Sequence, residues 1–172
     1  MLPDIFSRLK RQNSQSLMEA QMHFDKGVRL AAEGQLSKAI KAYLSAIEIH
    51  PKFVIAFKYL GAAYDELGQF VDALKVYSKA IVLAPQDAEL RIDLGLVYFN
   101  IGSYAEAIKA FKQALGIDTH NARAHYCLGL VYLDLHDIQM AFEEHEQLTG
   151  LNEKDLSFQL LDKIQLQSRQ AS

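Results

Sequence analysis

The sequence lacks the residues that several protein classes require. It has one cysteine, three prolines and no tryptophan in 172 residues, which excludes a disulfide framework and a proline-rich disordered chain. No apolar run approaches the ~20 residues of a membrane-spanning helix. The formal net charge of −3 excludes a strongly basic nucleic-acid binder. The lone Cys127, and basic residues that follow rather than precede the first apolar ones, predict a cytoplasmic protein.

What the sequence does have is an internal repeat. Four glycines stand 34 residues apart, and four alanines recur at the same interval. A fixed period of about 20–50 residues predicts a solenoid, in which no single repeat can bury its apolar face alone. We expect these small residues to let the two helices of one repeat approach closely, since a glycine within a helix otherwise destabilises it by ~1 kcal/mol. The repeat-defining positions are Gly27, Gly61, Gly95 and Gly129, with Ala39, Ala73, Ala107 and Ala141.

The repeat divides the chain into segments. Residues 16–155 hold four repeats, 20–53, 54–87, 88–121 and 122–155, each with two amphipathic helices around a short turn. Residues 1–15 are predicted as a disordered segment or a short amphipathic helix, with a polar linker at 12–15. Ser16 and Glu19 match a capping box, so the first repeat helix should begin near Leu17. Residues 156–164 are predicted as a capping helix, and 165–172 as a polar tail that frays.

One repeat carries a family pattern in full. The second repeat reads Phe57-x-x-Leu60-Gly61-x-x-Tyr64, then Ala73-x-x-x-Tyr77, then Pro85. This pattern resembles the tetratricopeptide repeat, and the resemblance covers 136 of the 172 residues. It implies an all-α fold, a right-handed α-solenoid of antiparallel helix pairs with a C-terminal capping helix. In the fourth repeat His136 replaces the turn glycine, which predicts less regular packing there.

The resemblance also implies where a partner binds. In tetratricopeptide arrays the first helix of each repeat lines a concave groove. The groove positions carried over to this chain are Phe24, Val28, Ala31, Lys58, Ala62, Asp65, Ile92, Leu96, Phe99, Tyr126, Leu130 and Leu133. Most of them are apolar, which favours recognition of a helix or peptide through its apolar side chains. Acidic residues edge this stripe and favour a partner with basic flanks; they are Asp25, Asp65, Glu66, Asp93 and Asp134.

These features predict a non-enzymatic protein-interaction module that serves as a scaffold or adaptor. No two histidines have the i, i+4 spacing of a helical zinc site, and no glycine-rich phosphate loop occurs. We therefore predict no catalytic residue, metal site or cofactor. Chaperone adaptors of the resembled family bind a C-terminal carboxylate, but Ala62 and Asp93 stand where that clamp needs polar donors. Carboxylate-clamp binding is disfavoured.

An alternative is self-assembly into homo-oligomers. Residues 1–53 carry eight Lys and Arg against five Asp and Glu, a net of +3, whereas residues 122–155 carry two against seven, a net of −5. Opposite charge at the two ends favours contact between copies. The basic, apolar residues 2–11 match the acidic-edged groove and would provide such a contact. A third hypothesis, peripheral membrane contact through residues 2–11, needs a second anchor to be stable.

Overall fold

The protein is helical throughout the part of the chain that is described. The computed structural model describes the backbone of residues 2–170, the Ser7 side chain and the side chains of residues 12–169. These residues form α-helices and no strand. The helices are α1 (Leu2–Ala32), α2 (Leu36–Ile49), α3 (Val54–Glu66), α4 (Phe70–Leu83), α5 (Ala88–Asn100), α6 (Tyr104–Leu115), α7 (Ala122–Asp134), α8 (Ile138–Gly150) and α9 (Lys154–Gln170).

The helices belong to two compact units, Met1–Ala84 and Pro85–Ser172. The first contains α1 to α4, and the second contains α5 to α9. Each unit has its own apolar core, in which the four repeat-defining alanines are fully buried. A larger side chain at those alanines would force the paired helices apart, so their small size is a packing requirement.

The turns within the repeats use the left-handed backbone region. Gly34, Gly68 and Gly102 have φ values of 74°, 71° and 74° and follow α1, α3 and α5. Glycine takes up this conformation without steric penalty, which explains its place at these helix ends. In the fourth repeat His136 has a φ of 59° instead. The replacement seen in the sequence thus keeps the turn and strains its backbone.

Three of the four helix glycines allow the predicted close approach within a repeat. A Cβ atom at Gly61 would lie 2.7 Å from Tyr77 Cζ, and one at Gly95 would lie 2.6 Å from Phe111 Cε1. Gly27 faces Tyr43 in the same way. At Gly129 the expectation is wrong, because the atom that occupies the space is Leu160 Cδ2 of α9, 2.5 Å from a Cβ built there.

The N-terminal boundary in the sequence analysis is wrong for the described backbone. α1 is one helix from Leu2 to Ala32, so the predicted linker at 12–15 is helical. Ser16 does not cap a helix; its Oγ donates to the Asn13 carbonyl oxygen at 3.0 Å, a bond made within a helix. No glycine or proline stands between Pro3 and Gly27 to end the helix. Except for Ser7, the amphipathic pattern predicted for residues 2–11 lies outside the described side chains.

The C-terminal boundary is also different. The predicted capping helix 156–164 is part of α9, which continues to Gln170 through most of the expected polar tail. Its later turns are held on α7 and the following turn, because Gln167 Nε2 donates to the Leu133 carbonyl oxygen at 2.8 Å and lies 2.7 Å from His136 Nδ1. Polar residues continue this helix through hydrogen bonds, which an apolar pattern does not reveal. Residues 171–172 of the predicted tail lie outside the described residues.

Candidate functional site

In the first unit, the groove positions lie on α1 and α3. Phe24 is buried, which contradicts its prediction as an exposed anchor. Its ring centroid is 5.0 Å from that of Tyr59, 5.5 Å from Phe53 and 5.8 Å from Tyr43. Phe24 therefore belongs to an aromatic cluster within the core, and Tyr59, which is 41% exposed, is the surface member of that cluster.

The other groove positions of the first unit are accessible to different degrees. Val28, Ala31, Lys58 and Asp65 are half-buried, and Ala62 is exposed. Val28 and Ala31 pack against the core of the unit. The acidic residues beside them, Asp25 and Glu66, are exposed. The first unit thus offers a small apolar surface with carboxylates at its edge.

In the second unit, two groove positions are not accessible. Ile92 is 0% exposed and Leu133 is 6% exposed, so both belong to the core and their prediction as groove residues is wrong. The first helices here are packed so closely that the inner edge of the predicted stripe is covered. Burial of this kind depends on how two helices are spaced, and the repeat pattern does not give that spacing.

Four other positions in the second unit form its apolar surface. They are half-buried residues packed on the core: Leu96, Phe99, Tyr126 and Leu130. Phe99 lies 5.9 Å from the Tyr104 ring between centroids, and the Tyr126 hydroxyl donates to Gln159 Oε1 at 3.4 Å. These contacts hold two aromatic side chains in place before any partner binds. A preformed surface loses less conformational entropy on binding than a flexible one.

A charged network beside this surface was missed by the sequence analysis. Arg123 on α7 reaches two carboxylates of α5, with Nη1 2.6 Å from Glu89 Oε2 and Nη2 2.8 Å from Asp93 Oδ1. Asn121 Nδ2 also donates to Glu89 Oε1 at 3.0 Å. Arg123 stands 34 residues after Glu89, so the repeat register itself places the two in neighbouring helices. That register was the available signal.

The network changes the predicted acidic edge. Asp93 is buried and its charge is paired with Arg123, so it does not act as an exposed acidic residue beside the groove. Burial by itself lowers the pKa of Arg123, but the hydrogen bonds and charges of Asp93 and Glu89 outweigh burial and raise it. Asp134 remains exposed and accepts a hydrogen bond from the Tyr104 hydroxyl at 3.2 Å.

The comparison with known protein families is decided by this repeated pattern. The family model for the TPR repeat matches residues 27–68, 64–102 and 95–135, which together span more than half of the chain. The chain belongs to the TPR repeat family. No curated protein sequence matches it. The TPR fold, an all-α solenoid built from helix pairs, is the one predicted from the sequence and is confirmed.

Solved structures of TPR proteins resemble this one. The crystal structure of MamA protein is 25% identical, with a TM-score of 0.69, 87% of this chain covered and 92% of that chain. A tetratricopeptide repeat protein from Parabacteroides merdae is 19% identical, with a TM-score of 0.75 and coverages of 91% and 61%. The first TPR of Spaghetti, bound to an HSP90 peptide, is 21% identical, with a TM-score of 0.65 and coverages of 69% and 94%.

Other possible sites in the TPR fold were searched over the described residues. They contain no group of three or more His, Cys, Asp or Glu side chains arranged to hold a metal ion. Nor do they contain a helix long and apolar enough to cross a membrane. A surface cavity of about 400 Å³ in the first unit is lined by residues that are not groove positions, namely Pro51, Phe57, Ser78, Lys79, Val82 and Leu83. Cys127 is buried, and burial raises the pKa of its thiol to about 11.

Proposed function

We propose that this protein is a non-enzymatic scaffold that binds a helix or an extended segment of a partner protein at the groove positions. The observation that carries the proposal is the apolar surface of Leu96, Phe99, Tyr126 and Leu130, which is packed on the core yet half-accessible. Side chains already fixed by the core present a partner with a defined shape. Val28, Ala31 and Ala62 contribute smaller apolar contacts in the first unit.

We further propose that the preferred partner segment is apolar with basic flanks. Exposed carboxylates at Asp25, Glu66 and Asp134 support this preference, and half-buried Asp65 adds to it. Asp93 does not contribute, because Arg123 pairs with it. Complementary charges of this kind set orientation and association rate more than they set affinity.

A carboxylate-terminated peptide is a poorer candidate for the same face. The TPR of Spaghetti has an HSP90 peptide bound to it, but this chain has Ala62 and the buried Asp93 where a carboxylate clamp needs polar donors. Lys58 is the single cation among the groove positions. A single cation cannot provide the bidentate contacts that make carboxylate recognition strong.

A cytoplasmic location is part of this proposal. The chain has a single cysteine, Cys127, and it is buried, so it has no disulfide partner within the chain. Disulfides are characteristic of oxidising compartments, and a protein that has none fits a reducing compartment.

The test is recovery of partners from cell extract by the full-length protein, quantified by mass spectrometry. The groove variant is Leu96→Asp with Leu130→Asp, and Leu96→Gln with Leu130→Gln is a milder pair for these half-buried positions. The matched control is Val71→Asp with Val82→Asp, at positions 66% and 80% exposed on α4. Circular dichroism confirms that each variant is helical. We expect both groove pairs to lose partners that the control retains; unchanged recovery by the groove pairs contradicts the proposal.

Self-assembly is the second candidate function. The first half of α1 supports it, because Ala20 is the first buried residue among the described side chains of a 31-residue helix. A helix whose side chains are exposed over several turns is marginal on its own in water. The opposite charges of the two ends of the chain favour another copy as the surface that stabilises it.

A further inference from the structure

The N-terminal half of α1, residues 2–19, is a helical arm without a buried side chain among those described. At 1.5 Å per residue its length is about 27 Å. The described side chains from Gln12 to Glu19 are exposed, apart from half-buried Ser16. Met18 is 70% exposed and Met22, one turn further on, is 65% exposed. Methionine is flexible and adapts to many surfaces, so these side chains suit a binding face better than solvent.

The charge of this arm has one sign over most of its length. Residues 5–18 contain Arg8, Lys10 and Arg11 and no acidic residue. Two such arms side by side would place like charges together, so pairing between arms is disfavoured. The arm needs an apolar surface with carboxylates around it.

The outer face of α9 has those properties. The opposite face of this helix is buried through Ser157, Leu160 and Ile164. Phe158 and Leu166, 71% and 50% exposed, lie on the outer face with Asp162 between them at helical spacing. α9 has 17 residues, about 26 Å, which nearly equals the length of the arm.

The neighbouring α8 extends this face. Phe142 is 44% exposed, and its ring centroid is 5.4 Å from that of His145. His145 Nδ1 in turn lies 3.0 Å from the Ser157 carbonyl oxygen, next to Phe158. Between residues 142 and 166 the exposed charges are two lysines and five carboxylates, which belong to Glu143, Glu146, Glu153, Asp155 and Asp162.

We propose that the arm of one copy docks on the outer face of α8 and α9 of a second copy. This inference rests on the self-assembly proposed above and replaces the groove by the α8–α9 face as the acceptor. The contact joins two different surfaces, so each copy keeps one free arm and one free face, and the assembly grows head to tail. Opposite charges make it weaken as salt increases.

The test uses light scattering on full-length protein over a range of concentrations. The arm variant is Met18→Asp with Met22→Asp, and the face variant is Phe158→Asp with Leu166→Asp. All four positions are exposed, so the variants should fold, and Met18→Gln with Phe158→Gln provides a milder single change on each side. We expect wild type to exceed the 19.4 kDa monomer mass and each variant alone to remain at it.

The mixture of the two variants is the decisive sample. The arm variant has an intact face and the face variant has an intact arm, so an equimolar mixture should form a dimer of twice the monomer mass and nothing larger. A monomeric wild type overturns the proposal, as does a face variant that still assembles, because the arm then binds another arm or the groove. The Leu96 and Leu130 variants should assemble normally. Loss of assembly in them alone would place the contact in the groove, whereas loss of outside partners tests the scaffold function separately.

Discussion

Leu160 of α9 fills the space beside Gly129 of α7, with Cδ2 2.5 Å from where a Cβ at residue 129 would be. In the three earlier repeats an aromatic residue of the second helix has this role. The fourth repeat has His145 at that place, and its Nδ1 lies 3.0 Å from the Ser157 carbonyl oxygen. The last repeat therefore completes its core with a residue from the helix that follows it.

Leu160→Ala should lower the free energy of unfolding by about 2–5 kcal/mol, because Leu160 is fully buried and its loss leaves a cavity against α7. Urea unfolding monitored by circular dichroism measures this change. Leu166→Ala on the same helix is the control, and at 50% exposure it should change stability by less than about 0.5 kcal/mol. Equal effects of the two substitutions would show that α9 does not pack through Leu160.

Gly95→Ala should destabilise the protein by about 1–3 kcal/mol, although alanine favours a helix over glycine. The new Cβ would lie 2.6 Å from Phe111 Cε1, so the aromatic ring must move. Gly150→Ala is the control, since no atom lies within 4 Å of its added Cβ. Thermal unfolding should show a lower Tm for Gly95→Ala, and adding Phe111→Leu should recover part of the loss. A Tm for Gly95→Ala equal to that of Gly150→Ala would contradict the predicted close approach.

Tyr43→Phe should leave stability unchanged or raise it by about 1 kcal/mol. Among the described residues, the Tyr43 hydroxyl is buried and has no hydrogen-bond partner, and an unpaired buried hydroxyl is destabilising. Burial, with a smaller effect of Tyr59, also raises the pKa of Tyr43. Tyr104→Phe is the comparison, because it removes a hydrogen bond to Asp134 and should lower stability slightly. Urea midpoints of the two variants should shift in opposite directions; a clear loss for Tyr43→Phe would indicate a bonded hydroxyl.

Arg123→Met should lower stability by about 1–2 kcal/mol, because it leaves the buried Asp93 carboxylate without its cation. The side chain of Arg123 is 43% exposed, which limits the effect through solvent screening. Adding Asp93→Asn removes the uncompensated charge and should restore most of the loss. A double-mutant cycle from urea unfolding measures the coupling, and additive effects would show that the pair is not coupled.

The His125–Glu144 pair should make the stability of the second unit depend on pH. His125 Nδ1 lies 2.6 Å from Glu144 Oε2, and this hydrogen bond raises the pKa of His125 above its ordinary 6.5 despite burial. A raised pKa means that the pair stabilises the fold fully below 6.5 and loses that effect as pH rises through the folded-state value. The stability gap between wild type and His125→Asn should therefore narrow from acid to mildly alkaline pH. Unfolding at a series of pH values measures it, and a constant gap contradicts it.

Much of the fold follows from the sequence because the repeat constrains it four times. Gly68 at a left-handed turn and Ala73 between two helices are each one member of a column that repeats every 34 residues. The ends of the chain are outside this redundancy. Ser16 is equally suited to capping a helix or to bonding back within one, and the choice depends on residues that the repeat does not cover.

The candidate site was predicted less completely, since a column gives the direction of a side chain and not its burial. Ile92 and Leu96 both lie on α5 at groove positions, yet the first is buried and the second is half-exposed. The distance between neighbouring first helices decides which is accessible. The link from Arg123 to Asp93 depends on the same distance, so only its 34-residue counterpart Glu89 could have been found from the register.

Photo-crosslinking from the groove tests the scaffold function most directly. A photoreactive phenylalanine analogue replaces Tyr126, a half-buried aromatic at a groove position, and in a matched protein it replaces Val82, which is 80% exposed on α4. After irradiation in cells, we expect the Tyr126 position to form a covalent adduct with a partner protein and the Val82 position not to form that adduct. Adducts from Val82 with none from Tyr126 would contradict binding at the groove positions.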